Sequence, residues 1–473
     1  MDESPFRIAV FGDLLGDARG TAPPLAERRP VFVDRDNFDE VLARFEPRLR
    51  LPLAEGGPEV EIAFRDIDDF RPEALYRLDL FAKLRTLRKR LDDPETFADA
   101  AAELGAASEP APAAPAAAPA VSTEGLLDSI LDQGENAARS GGLRQGDDLQ
   151  DFINRSMASS LAPKLDPKQP EYVAEVDRAA AEQMRCLLHH PRYQALEALW
   201  HGIFLLTRRI ETSVDLKLFL IDATKRELVA DLLENEDLRG SAVYRRVVAE
   251  TVQTPGADPW GVLIGAYRFG ADPDDAKLLA MLGGVAGAAD APWIAEADPC
   301  LLGCRSLAET PDPATWARDP DPIFAALRKF PEAANIGLVA GRWLAREPYG
   351  RDSDPCESFA FEELEGSVTG EQLVWGPPAF VAAQLLAVSF SRLGWNMQPV
   401  VRDLDRLPLH AYRQDGESRL QPSGEALLTE RGIERIHDRG LMALSAVKDS
   451  DTVRLVRFQS IADPLKPLAS RWG

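Results

Sequence analysis

The residue types that carry most enzyme chemistry are sparse and scattered. The chain holds five histidines and four cysteines in 473 residues. His189 and His190 directly precede Pro191, and His201 lies further along the same segment. A His-His-Pro step reads as a helix junction where an imidazole caps or packs, because no cysteine or carboxylate at ligand spacing completes a metal set. Cys300 and Cys304 share a short stretch without a CxxC or a nearby histidine. The four cysteines (Cys186, Cys300, Cys304 and Cys356) are therefore expected to be buried or inert thiols. Glu362-Glu363 and Asp68-Asp69 are adjacent acids of the kind an acid-rich chain produces by chance. The glycine cluster Gly283-Gly284-Val285-Ala286-Gly287 sits inside an apolar helical pattern and lacks the lysine of a phosphate loop, so it predicts close helix packing. There is no GxSxG elbow and no HExxH. Nothing assembles a nucleophile, a base and an orienting group. The sequence predicts no catalytic residue, no cofactor and no metal site, and so no enzyme.

The elements around these residues form a mixed α/β pattern. Phe6–Phe11 reads as a short apolar strand, Val31–Val33 as an extended piece, and Asp36–Arg44 as a helix with Phe38, Val41 and Leu42 on one face. Val60, Ile62 and Phe64 alternate with polar neighbours, and 72–91 reads as one long helix with its leucines inward. Arg85, Arg88, Lys89 and Arg90 cluster on that helix, either as a solvated face or as a docking patch for an acidic neighbour. From Ala98 to Ala120 the chain is almost all alanine and proline, a composition for an extended spacer. Beyond it, 125–131 (GLLDSIL) is a short amphipathic helix that needs a partner for its apolar side, in its own chain or in another protein. Helices follow at 171–188, 191–209, 225–234, 275–288 and 377–393. Strands are expected at 214–221, 260–267, 336–340, 441–447 and 452–459.

Charge narrows the class. With 54 basic against 77 acidic residues the chain carries −23, which argues against a general nucleic-acid binder and against an anionic membrane surface. The first 97 residues hold 16 basic and 21 acidic side chains, so most of the excess lies beyond them. No apolar run reaches the ~18 residues that span a bilayer. MDESPFRIAV has no secretory pattern, and the expected setting is a reducing cytoplasm.

Several segments carry a resemblance. LLHHPRYQALEALWHG (187–202), IDATKRELVADL (221–232), TPGADPWGVLIGAYRF (254–269), APWIAEA (291–297), GRWLAREPYG (341–350), FAFEE (359–363), WGPPAF (375–380), LPLHAY (407–412) and ALSAVKDSD (443–451) resemble, in order, the large subunit of the type VI secretion contractile sheath, TssC. FRIAVFGDLLG (6–16), RRPVFVDRDNFDEVLARFEPRLRL (28–51) and VEIAFRDIDDFRPEALY (60–76) are similar to the small subunit, TssB. The resemblance implies a TssB-like domain over 1–97, a linker over 98–122, a helical peripheral region over 123–170 and a TssC-like domain over 171–473. It implies a phage-tail-sheath-like fold, with mixed sheets flanked by helices and a peripheral helical region. It also implies partners: other sheath subunits or further copies of the chain, and baseplate or tube proteins. GLLDSIL is similar to the helix through which the AAA+ unfoldase ClpV engages sheath, so Leu126, Leu127, Asp128, Ile130 and Leu131 would form its docking face. Trp200, Trp260, Tyr267, Trp293, Trp343, Trp375 and Trp395 would support packing.

Family large subunits continue beyond the point matching Pro467, and family small subunits carry a strand ahead of the one at Phe6. The expectation is a structural sheath-type subunit, cap-like for want of strand-exchange ends. The alternative is a non-polymerising adaptor that recruits the unfoldase or a baseplate protein.

Overall fold

The computed structural model describes residues 4–52, 59–108, 167–234, 237–365, 370–414 and 417–472. The unfoldase-type residues Leu126, Leu127, Asp128, Ile130 and Leu131 lie outside them. The chain forms two compact units. The larger comprises residues 1–71, 187–354 and 363–473, and the smaller 72–186 and 355–362.

In the larger unit the chain forms β1 (Phe6–Gly12), β2 (Val31–Val33), α1 (Phe38–Phe45) and a hairpin of β3 (Arg48–Pro52) and β4 (Glu59–Ala63). The smaller unit contributes α2 (Ala82–Asp92), α3 (Phe97–Ser108) and most of α4 (Gln169–Leu188). The larger unit resumes with α5 (Pro191–Arg209), β5 (Leu216–Asp222), α6 (Lys225–Leu233), β6 (Val262–Phe269), α7 (Pro273–Ala289), β7 (Trp293–Ala297) and β8 (Ile336–Ala340). After these come β9 (Trp343–Leu344), β10 (Trp375–Gly376), α8 (Pro378–Leu393), β11 (Asp403–Leu404), β12 (His410–Gln414), β13 (Glu417–Gln421), α9 (Glu430–Asp438), β14 (Met442–Ala446) and β15 (Val453–Leu455).

Nine of the strands make one sheet in the order β11-β15-β14-β8-β7-β6-β1-β5-β2. The run from β14 to β5 is parallel, and β2 and β15 add antiparallel. Parallel strands buried on both faces read as near-continuous apolar runs: β8 (IGLVA) is one, while β6 (VLIGAYRF) and β7 (WIAEA) are each interrupted by one charged residue, Arg268 and Glu296. In β1, Phe6 stacks on Phe390 of α8, while Ala9 and Phe11 join the core on the α7 side. Helices therefore cover both faces.

α5 and α8 meet at Gly202. A Cβ there would lie 2.2 Å from the ring of the fully buried Phe380. Gly202→Val is expected to cost about 2–3 kcal/mol through overpacking, read as a lower urea midpoint. The Gly283–Gly287 cluster also packs: a Cβ on Gly283 would meet the Glu332 carbonyl at 2.8 Å, and one on Gly287 the Asn335 amide at 2.6 Å.

In the smaller unit, Leu84, Leu87 and Leu91 of α2 are buried and Phe359 stacks on Tyr76 at 4.5 Å. Two expectations are corrected here. The single helix over 72–91 is broken: a turn at Pro72–Leu75 and a 3-10 turn at Asp79–Phe81 precede α2. The carbonyls freed at the break are taken up by the Arg85 guanidinium, which donates to the oxygens of Tyr76 and, at 2.8 Å, Leu78. The Ala/Pro stretch starts as helix, since α3 runs to Ser108 and the first proline comes only at Pro110.

Candidate functional site

Two polar clusters in the larger unit bind segments that are far apart in sequence. The first sits at the carboxyl ends of β1 and β5. β1 lies between β5 and β6, so the sheet winds outward from it in both directions. In doubly wound sheets ligands enter the crevice at such a switch point. Here the loop after β1 fills it. Asp222 ends β5 and accepts from the Leu14 backbone N–H (3.0 Å), from Arg19 (2.9 and 3.0 Å) and from Arg28 (2.9 Å). Glu227 closes the capping box of α6 with Thr224 and pairs with Arg19 (2.8 Å) and Arg28 (2.6 Å). Burial pushes the Asp222 carboxyl up despite the two arginines. At Glu227 burial acts the same way, but Arg28 and the Thr224 N–H outweigh it and hold the carboxyl down at about 2. A cleft of about 1180 Å³ continues over the strand ends, and two ion pairs line it: Arg268 with Glu296 (2.6 Å), and Arg342 with both oxygens of Glu425 (2.9 Å each).

Aromatic packing reinforces the union. Phe38 of α1 lies edge-on to Phe204 and Trp200 of α5, at 5.3 and 6.2 Å. Phe64 stacks on Phe70 at 4.1 Å, and Tyr193 donates its hydroxyl to the Phe70 carbonyl at 2.8 Å.

The second cluster surrounds Arg346. Its guanidinium donates to Glu197 (2.6 and 3.3 Å) and to Glu363 (2.7 and 2.9 Å), and all three side chains are buried. Burial opposes the positive charge of Arg346, but the two carboxylates overcome it and hold the group well above its ordinary value. Burial raises Glu197 to about 7 against the pull of Arg346. His201 is held down to about 3 by burial and by Arg346. Three segments that carried the sequence resemblance thus meet here: 187–202, 341–350 and 359–363.

The residues singled out in the sequence fall into place as follows. His190 is the N-cap of α5, its Nδ1 accepting from the Arg192 N–H at 3.2 Å. Glu363 is buried in the Arg346 cluster while its neighbour Glu362 is exposed, and Asp69 belongs to a capping box. Arg88 pairs with Asp177 of α4 (2.7 Å) and with Asp92 (3.1 Å), and Arg90 with Glu103 (2.6 Å). Arg85 serves the backbone, and Lys89 is exposed. Six of the seven packing aromatics are at most 8% exposed, and Trp395 is half-buried against Phe6 and Phe390. Cys186 and Cys300 are exposed, so of the two alternatives, buried or inert, burial does not apply to them. The Cys300 thiol is nonetheless pushed up to about 11, by partial burial and by Asp298. Among the described residues no group of His, Cys, Asp and Glu could hold a metal ion. Sequence reasoning missed Arg19, Arg28, Asp222, Glu227, Glu197 and Arg346. The available signal was Glu197, an acid on the inward face of an otherwise apolar helix between Leu196 and Trp200.

A family model described as VipB (EvpB), tail sheath N-terminal domain, matches residues 170–462. A second, described as type VI secretion system, VipA or Hcp2, matches residues 1–107. The chain is 29% identical over 309 residues to the type VI secretion system sheath protein TssC1 of Pseudomonas aeruginosa, covering 62% of this chain and 61% of that protein. It is 33% identical over 101 residues to the sheath protein TssB1 of the same organism, covering 20% of this chain and 59% of that protein. The chain therefore spans about three-fifths of the length of each of these relatives.

Proposed function

The chain belongs to the tail-sheath family of the type VI secretion system, and on that premise we propose that it is a fused sheath subunit. A small-subunit segment and a large-subunit segment share one polypeptide, and the protein acts by assembly with sheath subunits or with copies of itself, not as an enzyme. The observation that carries this reading is the position of β1. A strand of the small-subunit segment lies between two strands of the large-subunit segment, paired over seven residues with β5. Joining the segments makes that pairing intramolecular and fixes their ratio at one to one. The Arg88–Asp177 pair supports reading the Arg85–Arg90 cluster as a contact between the two segments. Among the described residues no helix is long and apolar enough to cross a membrane, and the reading places the protein in the cytoplasm.

A cap-like or adaptor role is the finer form of this reading. It is supported by the ends of the large sheet. β2 is three residues long and follows Pro30, and the Asn37 side-chain amide donates to the Phe32 carbonyl at 3.3 Å. β11, at the far end, has two residues. Short edges blunted by proline and a capping side chain resist strand addition.

Negative-stain electron microscopy of the full chain, alone and mixed with TssB–TssC sheath, is the test. Binding to sheath as particles of one or two chains is expected. Long tubules from the chain alone would overturn the cap-like form, and neither tubules nor sheath binding would overturn the sheath reading itself. The same proposal assigns Leu126, Leu127, Asp128, Ile130 and Leu131 to docking of the unfoldase ClpV. Replacing Leu126, Leu127 and Ile130 by serine is expected to weaken binding to the ClpV N-terminal domain about tenfold or more by calorimetry. Unchanged affinity would remove that assignment.

A further inference from the structure

The chain leaves or re-enters the larger unit after Arg71, before Leu187, after Asp354 and before Glu363. These four points converge on the Arg346 cluster. Arg71 makes a bidentate pair with Asp354 at 2.7 and 3.0 Å. The Tyr349 ring lies 5.5 Å from the Arg71 guanidinium and 4.2 Å from that of Arg346. The Tyr349 N–H donates to Glu363 Oε2 at 2.8 Å, and its carbonyl accepts the Glu363 N–H at 2.8 Å. His189, just after the second crossing, places Nε2 3.9 Å from Glu363 Oε1.

The charge count at the centre does not close. Glu197 and Glu363 share one buried cation, Arg346. The other groups that face them are Tyr193 and His201 on α5, His189 before it, Glu347 and Tyr349 after β9, Arg71 with Asp354 at the crossings, and His410 on β12. Arg71 and Asp354 cancel. His201, 3.9 Å from Glu197, is neutral because burial and Arg346 hold it down. Glu197 and Glu363 thus share Arg346 as their permanent cation, with His189 adding a positive charge only when it carries a proton, and unbalanced negative charge here is costly. A proton neutralises it most simply, and a cavity of about 420 Å³ lined by His201, Arg346, Glu347 and Asp354 gives water a path to the cluster.

We propose that this cluster is a proton-dependent clamp on the four chain crossings, tight when Glu197 is protonated and looser when both carboxylates are ionised. The sign follows from Glu197, whose folded-state value of about 7 lies above its ordinary one. The folded cluster therefore holds a proton that the unfolded chain has released, so the clamp weakens as pH rises toward 7 and has lost that contribution above it.

Hydrogen–deuterium exchange of the full chain at pH 6 and pH 8, scaled for intrinsic exchange, tests this. Peptides covering 187–193 and 345–354 are expected to exchange about tenfold or more faster at pH 8, while those covering β5 and β6 stay unchanged. Glu197→Gln keeps a neutral hydrogen-bonding side chain and is expected to give the protected pattern at both pH values. If that variant does not fold, Glu363→Gln removes the same excess charge from the other partner and is expected to behave alike. Wild-type peptides unchanged with pH, a change spread equally over the sheet, or pH dependence persisting in the folded variant would each overturn the clamp.

Discussion

Val10→Asp is expected to unfold the larger unit or to leave it with a small fraction of its stability. Val10 is fully buried at the centre of β1, beside Leu220 on one side and Ile264 on the other. Its side chain shares the α8 face with Phe6 and Ile8, both of them also fully buried. Burying an unpaired charge there costs about 4 kcal/mol or more, against a total stability of ~5–15 kcal/mol for a typical domain. The expected readout is insoluble protein, or a urea midpoint far below the parent. Phe32→Asp provides the contrast. Phe32 is 37% exposed on the edge strand β2, so the same chemical change is expected to cost about 1 kcal/mol. Equal losses from the two substitutions would show that β1 is not an interior strand of the sheet.

Arg346→Met is expected to be the most damaging single change to the polar interior. It leaves Glu197 and Glu363, at 0% and 1% exposure, facing each other without their cation. Removing one partner of a buried ion network costs about 3–5 kcal/mol, because the remaining charges keep their desolvation penalty. Both carboxyls would then be neutral in the folded state up to a higher pH than in the unfolded chain. Stability of the variant should fall as pH rises, and its deficit should shrink at pH 5.5 relative to pH 8. Adding Glu197→Gln and Glu363→Gln is expected to restore much of the loss by removing the stranded charges. A deficit independent of pH, with no recovery in the triple variant, would point to lost packing around the guanidinium rather than to charge.

Much of the element order was legible in the sequence because the periods are clean. α5 is found at 191–209 and β8 at 336–340, both as expected from the apolar spacing. The middle strand β7 was not read as one. WIAEA alternates too weakly, and Glu296 is buried because Arg268 reaches it rather than because the segment is apolar. The break before α2 was hidden for a similar reason: leucines at helical spacing continue through 72–91, and only the bonds from Arg85 to the Tyr76 and Leu78 carbonyls show where the helix stops. The hairpin β12–β13 carries mainly exposed side chains and gives no core signal. Site residues were hardest. Glu363 looked like one half of a chance acidic pair, and only the fold brings Glu197 and Arg346 to it. The pairing of Asp222 with Arg28 likewise depends on which strands become neighbours, information that local spacing does not contain.

The placement of β1 also sets a timetable. Phe6 pairs with Leu216, and Ile8 with Val262, so β1 must wait for more than two hundred residues before either neighbour exists. At ~5–20 residues per second, that is roughly 10–50 s of synthesis with FRIAVFG unpaired. Contacts so distant in sequence also close slowly once the chain is complete. Refolding from urea should therefore show the β1 amides among the last to gain protection. In the cell, a chaperone that shields short apolar segments has a long opportunity at β1.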